Sequence, residues 1–209
     1  MARRKSLAFL DVGQGDCFVA DTKSGAIIFD GGSSSEDQVG RYRILPYMKY
    51  LGYQKIQIAV ISHMDIDHYS GIKELLEMGK IKYLGLPEIP KDETMKKIIG
   101  IAKKRGTTIF YLSRGRQITT KDGSLKVLHP QKNSQMEKNA ASLVMQGKIL
   151  GYRVLLTGDV EKEGEEELLS EELERADILK AAHHGSKNST SNEFLQKVQP
   201  KQTVISCGK

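Results

Sequence analysis

The chain of 209 residues has no tryptophan, and its two cysteines, Cys17 and Cys207, stand at opposite ends without a C-x-x-C spacing. That arrangement excludes a disulfide framework and a zinc ribbon, and both are expected to be small buried hydrophobes. Nowhere does an apolar run approach the ~20 residues that a membrane-spanning helix requires. The opening MARRKSLAFLDVG sets basic residues before an apolar stretch, but Asp11 interrupts it at once, so it reads as neither signal peptide nor anchor. A cytoplasmic location is therefore expected. No stretch has the composition of a linker and no repeat recurs at a fixed period, so one domain over 1–209 is expected.

Apolar residues make up 39% of the chain and charged ones 28%, the balance of a folded globular protein and not of a disordered one. Lys and Arg number 32 against 26 Asp and Glu, a net charge of +6. A polyanionic partner is compatible with that excess, although the basic residues are scattered and a solvated surface accounts for them equally well.

Three strand candidates, SLAFLDVG, DCFVADT and GAIIFDGG, open the chain, separated by glycine-containing turns. KIQIAVIS is a mostly apolar, β-branched run suited to a strand buried on both faces, and it ends where His63 begins. The period then changes: Ile72, Leu75 and Leu76 lie at i, i+3 and i+4, which predicts a helix. A second helix is expected across ETMKKIIGIAKKRG, a third within 161–176, and a fourth over 190–198, where Thr190-x-x-Glu193 has the capping-box pattern. TTIFYLS, SLKVLH, SLVMQG, YRVLLTGD, DILKAAH and TVISC read as further strands. Strands come in blocks followed by helices, which predicts two packed sheets with helices outside, an α+β arrangement.

Chemistry concentrates in HMDIDH, where His63, Asp65, Asp67 and His68 fall in a turn between a buried strand and a helix. Two imidazoles and two carboxylates are the donor types that grip a divalent ion, and a capping turn explains only one or two of them. Two further strands end in suitable groups: Asp159 closes VLLTGD, and His183 and His184 follow DILKAA. Asp159 alone would serve as well as a helix cap. Alternation would send His183 and His184 to opposite sides, so one is expected to face a metal while the other supports it or meets substrate.

HMDIDH, the later TGD and HHGS together resemble the metallo-β-lactamase-fold hydrolases, with their His-x-His-x-Asp-His hallmark followed by a later Asp and His. FLDVGQGDCFV, IIFDGG, VISHMDIDHYSGI, NAASLVM, LLTGDVE and LKAAHHGSKNSTSNEFL are similar, in that order, to the soluble domain of ComEC-type competence proteins, over nearly the whole chain. The resemblance implies a four-layer αββα sandwich, two divalent ions (Mn²⁺ or Zn²⁺, with Mg²⁺ compatible) and hydrolysis of a phosphodiester, DNA above all. It implies His63 and Asp65 at one metal position, Asp67, His68 and one of the His183/His184 pair at the other, and Asp159 between them. His183 is taken as the ligand, and His184, Asp67 and Asp159 as the residues nearest the reaction. Asp30, in IIFDGG, would brace the ligand loop, or else merely start a Gly-Gly turn. Relatives continue past ISCGK, so a terminal element of the site would lie beyond the chain as given.

Two departures follow from the same comparison. Asp65 stands where a histidine is usual, and Asn139 occupies the region expected of a third imidazole. The first position is thus rich in oxygen, which suits Mn²⁺ or Mg²⁺ better than an all-imidazole zinc site would. His129, in KVLHPQ, would serve as a ligand or simply as a turn residue before proline. Two ions outweigh three ligand carboxylates, so a water between them should ionise near neutral pH and attack a phosphodiester. Ser186 and Lys187 would contact the phosphate, although a solvated Lys187 is an equal alternative. Competing functions are hydrolysis of a small molecule, such as a phosphocholine ester, lactone or β-lactam, and a metal- or nucleic-acid-binding module without turnover.

Overall fold

Alternation along the first hairpin decides the layering. In the computed structural model, which describes residues 5–137, 139–171 and 173–208, β1 (Ser6–Phe9), β2 (Phe18–Thr22) and β3 (Gly25–Phe29) form an antiparallel meander. Phe18, Ala20, Ile27 and Phe29 point to one face, while Val19, Ala26 and Ile28 point to the other. Both faces are therefore covered. β4 (Ile56–Val60), β5 (Ile81–Pro87) and β6 (Thr108–Leu112) continue this sheet in parallel, completing the order β1-β2-β3-β4-β5-β6.

The second sheet repeats the plan, antiparallel strands first and parallel ones last. β7 (Gln117–Thr120), β8 (Gly123–His129), β9 (Val144–Ile149) and β10 (Tyr152–Leu156) are antiparallel, and β11 (Ile178–Lys180) and β12 (Gln202–Val204) add in parallel. Between the sheets, Phe18, Phe29, Val60, Leu125, Met145 and Leu156 share one apolar cluster. Outside the first sheet lie α1 (Leu45–Tyr50), α2 (Ile66–Glu77) and α3 (Glu93–Lys104), whose Met48, Ile72, Leu75 and Met95 join a second cluster. Outside the other lie α4 (Lys162–Leu169) and α5 (Asn192–Val198), anchored by Leu168 and Phe194 in a third. This is the expected αββα sandwich. Among the described residues no helix is long and apolar enough to cross a membrane.

Some local expectations change. A wide helical turn at Gly40–Ile44 running into α1, together with β5 and β7, has no counterpart in the sequence reading. The third expected helix is confined to Lys162–Leu169. Ser191, not Thr190, caps α5, its hydroxyl accepting from the Phe194 N–H, because Thr190 sits at φ 54° and turns its hydroxyl to the Ala182 N–H. Cys17 is buried, and burial raises its thiol pKa, but Cys207 is exposed because it follows the last strand.

Candidate metal centre

The strands of each sheet that bear on the site finish at the same rim of the sandwich. Past β4 the chain passes Ser62 and His63 and enters α2 with Asp65 as its extended N-cap, which places Asp67 and His68 in the first helical turn. Two loops of the first sheet strap that turn down. The Asp16 N–H donates to the Asp67 carbonyl at 3.1 Å, and the Gly31 N–H to that of His68 at 2.9 Å. Gly32 lies so close that a Cβ there would come within 2.5 Å of the Ile66 carbonyl oxygen, so no other residue fits without displacing the metal-like loop.

The second sheet supplies the other half. After β10, Thr157-Gly158-Asp159 turns at the rim, and the Asp159 N–H lies 3.3 Å from the Ser142 hydroxyl. After β11, both His183 and His184 take the left-handed conformation, φ 47° and 53°, which is rare and costly for a side chain of this size. Surrounding bonds enforce it. The Ser186 N–H donates to the His183 carbonyl at 2.8 Å, and the Ser189 hydroxyl to the Ala182 carbonyl at 2.9 Å. Buried Glu165 on α4 accepts from the N–H groups of both Thr190 and Ser191.

These elements aim three imidazoles at one oxygen. From Asp159 Oδ2, His68 Nε2 is 3.1 Å away, His184 Nε2 3.4 Å and His63 Nε2 4.0 Å. Each ring is held from behind by its other nitrogen. His68 Nδ1 donates to Asp30 Oδ2 at 2.9 Å, His184 Nδ1 to the Ser206 carbonyl at 2.7 Å, and His63 Nδ1 pairs with the Ser62 hydroxyl at 2.9 Å. Asp30 also accepts the Ser62 N–H, at 2.7 Å. The three Nε2 atoms are buried and have no well-directed hydrogen bond among the described residues. Asp67 Oδ2 lies 3.3 Å from His184 Nε2, and Asp65 Oδ2 3.6 Å from His63 Nε2.

The spacing fits a cation. Two ligands ~2.1 Å from one ion at a tetrahedral angle are about 3.4 Å apart, close to the separations seen here. Imidazoles fixed through Nδ1 with Nε2 left bare are likewise the form in which histidine binds metal. Buried charge is distributed accordingly. For His68, burial works against protonation, but Asp30 and Asp159 outweigh it and the pKa lies well above the ordinary value. Burial would raise Asp159, yet His184, His68 and Lys180 together hold it far down. Asp67 is lowered too, its burial offset by His184 and His68.

Not every expected residue converges. His183 turns its Nδ1 to Glu161 Oε1 at 2.9 Å, because consecutive left-handed residues splay the two rings apart, so the imidazole facing the cluster is that of His184. Asn139 lies beside an open cleft of about 1000 Å³ lined also by Glu137, Glu161 and exposed Lys187, and its carbonyl accepts the Ser142 N–H. Ser186 stabilises its own loop, its hydroxyl 3.3 Å from the Asn188 N–H. His129 is buried with its ring engaged by the Ala140 carbonyl at 2.7 Å and Glu167 at 3.3 Å, partners outside the cluster. With all five histidines placed, the position of His63 and Asp65 gains no third imidazole.

Two residues at the centre were not foreseen. Lys180, at the end of β11, is buried, with its ammonium 3.0 Å from the Gly158 carbonyl, 3.5 Å from Asp159 Oδ1 and against Asp16. Asp16 itself approaches His68 Nδ1 at 3.7 Å and His184 Nδ1 at 3.8 Å. The signal lay in alternation: Ile178 packs between the sheets and Leu179 outside them, so Lys180 must face inward, at the point where the apolar layer gives way to the site.

A two-sheet sandwich with His and Asp donors gathered at one rim defines a class, and the sequence profile of the metallo-β-lactamase superfamily matches residues 10–209: the chain belongs to that superfamily, whose fold typically holds two metal ions. Within it, the chain is similar to competence proteins. It is 36% identical to ComE operon protein 3 of Bacillus subtilis (strain 168), covering 96% of this chain and 28% of that protein. It is 29% identical to competence protein ComA of Neisseria gonorrhoeae, covering 95% and 26%. The chain thus spans about a quarter of the length of these relatives. Among solved structures, the class B3 di-zinc metallo-β-lactamase LRA-12 from an Alaskan soil metagenome shares the fold, with a TM-score of 0.57, 17% identity and coverage of 95% and 90%.

Proposed function

We propose that this chain is a divalent-metal-dependent phosphodiester hydrolase acting on DNA. The observation that carries the reading is the convergence of His63, His68 and His184 on Asp159 Oδ2, each ring fixed through Nδ1 with its bare Nε2 turned to the same point. His63 and Asp65 would hold one ion, Asp67, His68 and His184 the other, with Asp159 between them and Asp30 bracing the loop. Bound at these positions, the ions would supply Lewis acidity toward a water and a phosphoryl oxygen. With a single imidazole and carboxylate oxygens at the first position, Mn²⁺ is favoured over Zn²⁺ there.

The chain's own groups organise the rest. Asp65 is the most open of the donors, its side chain 38% exposed against 4% for Asp159, so substrate reaches the site from the Asp65 side. Lys187 and Ser186, on the loop after His184, would meet the phosphate as it enters. The likeness to competence proteins supports a nucleic acid over a neutral small molecule, and the net charge of +6 is compatible with it.

Purified protein loaded with Mn²⁺ should cleave a bis-aryl phosphodiester and single- or double-stranded DNA but not a chromogenic β-lactam. Asp159→Asn should reduce diester turnover by at least roughly a hundredfold, since it removes the donor shared by both positions. Turnover of the lactam in preference to both diesters, or of none of the three with metal bound, would sink the proposal.

A further inference from the structure

Resting on that reading of the site, we infer that Lys180 is a positioning residue, a tethered cation that restricts Asp159 to one metal-facing oxygen and keeps Asp16 out of the ligand set. The two oxygens of Asp159 have different surroundings. Oδ2 faces the three bare imidazole nitrogens, whereas Oδ1 faces the Lys180 ammonium at 3.5 Å. The ammonium is anchored independently by the Gly158 carbonyl at 3.0 Å and lies against the Asp16 carboxylate. Its backbone is fixed as well, by strand pairing of Lys180 with Leu156 and by the Thr157 hydroxyl on its carbonyl at 2.6 Å.

A lysine costs desolvation when buried, and an apolar residue would fill the same space without that cost. Its charge must therefore be used. Asp16, Asp30 and His68 Nδ1 lie close enough together to form a cation position of their own, behind the imidazoles and on the wrong side for substrate. Lys180 supplies the positive charge there. Asp16 is thereby neutralised and Asp159 is kept from turning both oxygens the same way, so that Asp159 Oδ2 and the imidazoles, and not Asp16, would be the groups that hold a divalent ion.

The consequence is an opposite pair of effects on metal affinity. In Lys180→Gln the repulsive ammonium is gone and both carboxylates are released, so Mn²⁺ should bind roughly tenfold more tightly while diester turnover falls. In Asp16→Asn the whole lysine charge is left to Asp159, so Mn²⁺ should bind more weakly than in the wild type. Lys180→Arg retains the charge and should stay close to the wild-type affinity. Titration followed by the electron paramagnetic resonance signal of free Mn²⁺ reads all three without turnover, with circular dichroism as the check of folding. Unchanged Mn²⁺ affinity in folded Lys180→Gln, or weakened affinity there, overturns the role of Lys180. Should that variant not fold, Asp16→Asn decides, and an affinity equal to or above the wild type overturns it. A wild-type protein that binds no Mn²⁺ removes the metal reading itself, a failure distinct from the other two.

Discussion

Adjacent histidines can have unrelated tasks when the backbone between them is forced into an uncommon shape. His183 and His184 have left-handed φ values, and one ring goes to Glu161 while the other goes to Asp159 and Asp67. Burial opposes charge on His184, but Asp159 and Asp67 outweigh it and raise its pKa from 6.5 to about 10 in the metal-free protein. A raised value means that the protonated ring stabilises the metal-free fold fully below about pH 6.5, and that this contribution is lost as pH rises toward 10. A cation at Nε2 must expel the proton. Binding of Mn²⁺ at pH 7 should therefore release protons, and affinity should increase with pH. Calorimetry in buffers of different ionisation enthalpy measures this release; His184→Ala should diminish it and weaken binding by roughly a hundredfold, whereas His183→Ala should do neither. The sequence offered both histidines but could not choose between them, because the choice depends on two dihedral angles that no residue type at 183 or 184 dictates. Asp16 and Lys180 were hidden for a related reason: a lone Asp in a glycine loop and a lone Lys in a strand acquire meaning only once they meet.

At the level of elements, α4 acts on His184 without touching it. Glu165 lies on α4, yet its two oxygens accept from Thr190 and Ser191, closing the loop that begins at Gly185. Glu165→Ala leaves two backbone donors without their partner, a cost of about 1–3 kcal/mol, visible as a lower urea midpoint. Because that loop holds His184 in a strained shape, metal affinity should fall in the same variant even though Glu165 touches no ligand. Most elements were legible where the period was clear, as in the alternation of β2 and β3 or the helical spacing of Ile72, Leu75 and Leu76 in α2. β5 was not, because Gly85 and Pro87 interrupt IKYLGLP; Pro87 is accommodated as the last residue of the strand, and Gly85 lies where a Cβ would come within 2.9 Å of the Phe110 ring. β7, QITT, is too short and polar to signal anything without its partner β8. The turn into α1 carries Pro46 near its start, which suggests a break until its position in the first helical turn is known.

Across the whole molecule the site belongs to neither sheet. His63, Asp67 and His68 follow β4 of the first, and Asp159 and His184 follow β10 and β11 of the second, so a bound cation ties the two layers together. Ligands of this kind stabilise the folded state by mass action, about 2.7 kcal/mol at a hundredfold excess over the dissociation constant. Thermal melting should accordingly shift upward on addition of Mn²⁺, return with chelator, and stay in place for Asp159→Asn. Strand blocks and helical periods announced this two-sheet architecture, and HMDIDH announced one half of the site. The meeting of the halves was legible only through the resemblance to a known fold, since the residues concerned are about a hundred positions apart and no local pattern links them.

The backbone just past β12 crosses back to the opening loops of the chain: the Ser206 hydroxyl reaches the Gly15 carbonyl at 2.6 Å and the Gly208 N–H meets Gln14 Oε1 at 2.9 Å. On the way, the Ser206 carbonyl clasps His184 Nδ1. The stretch that closes the sandwich is thus also the one that orients the His184 ring, so the chain's two ends and the imidazole are fastened by a single set of bonds.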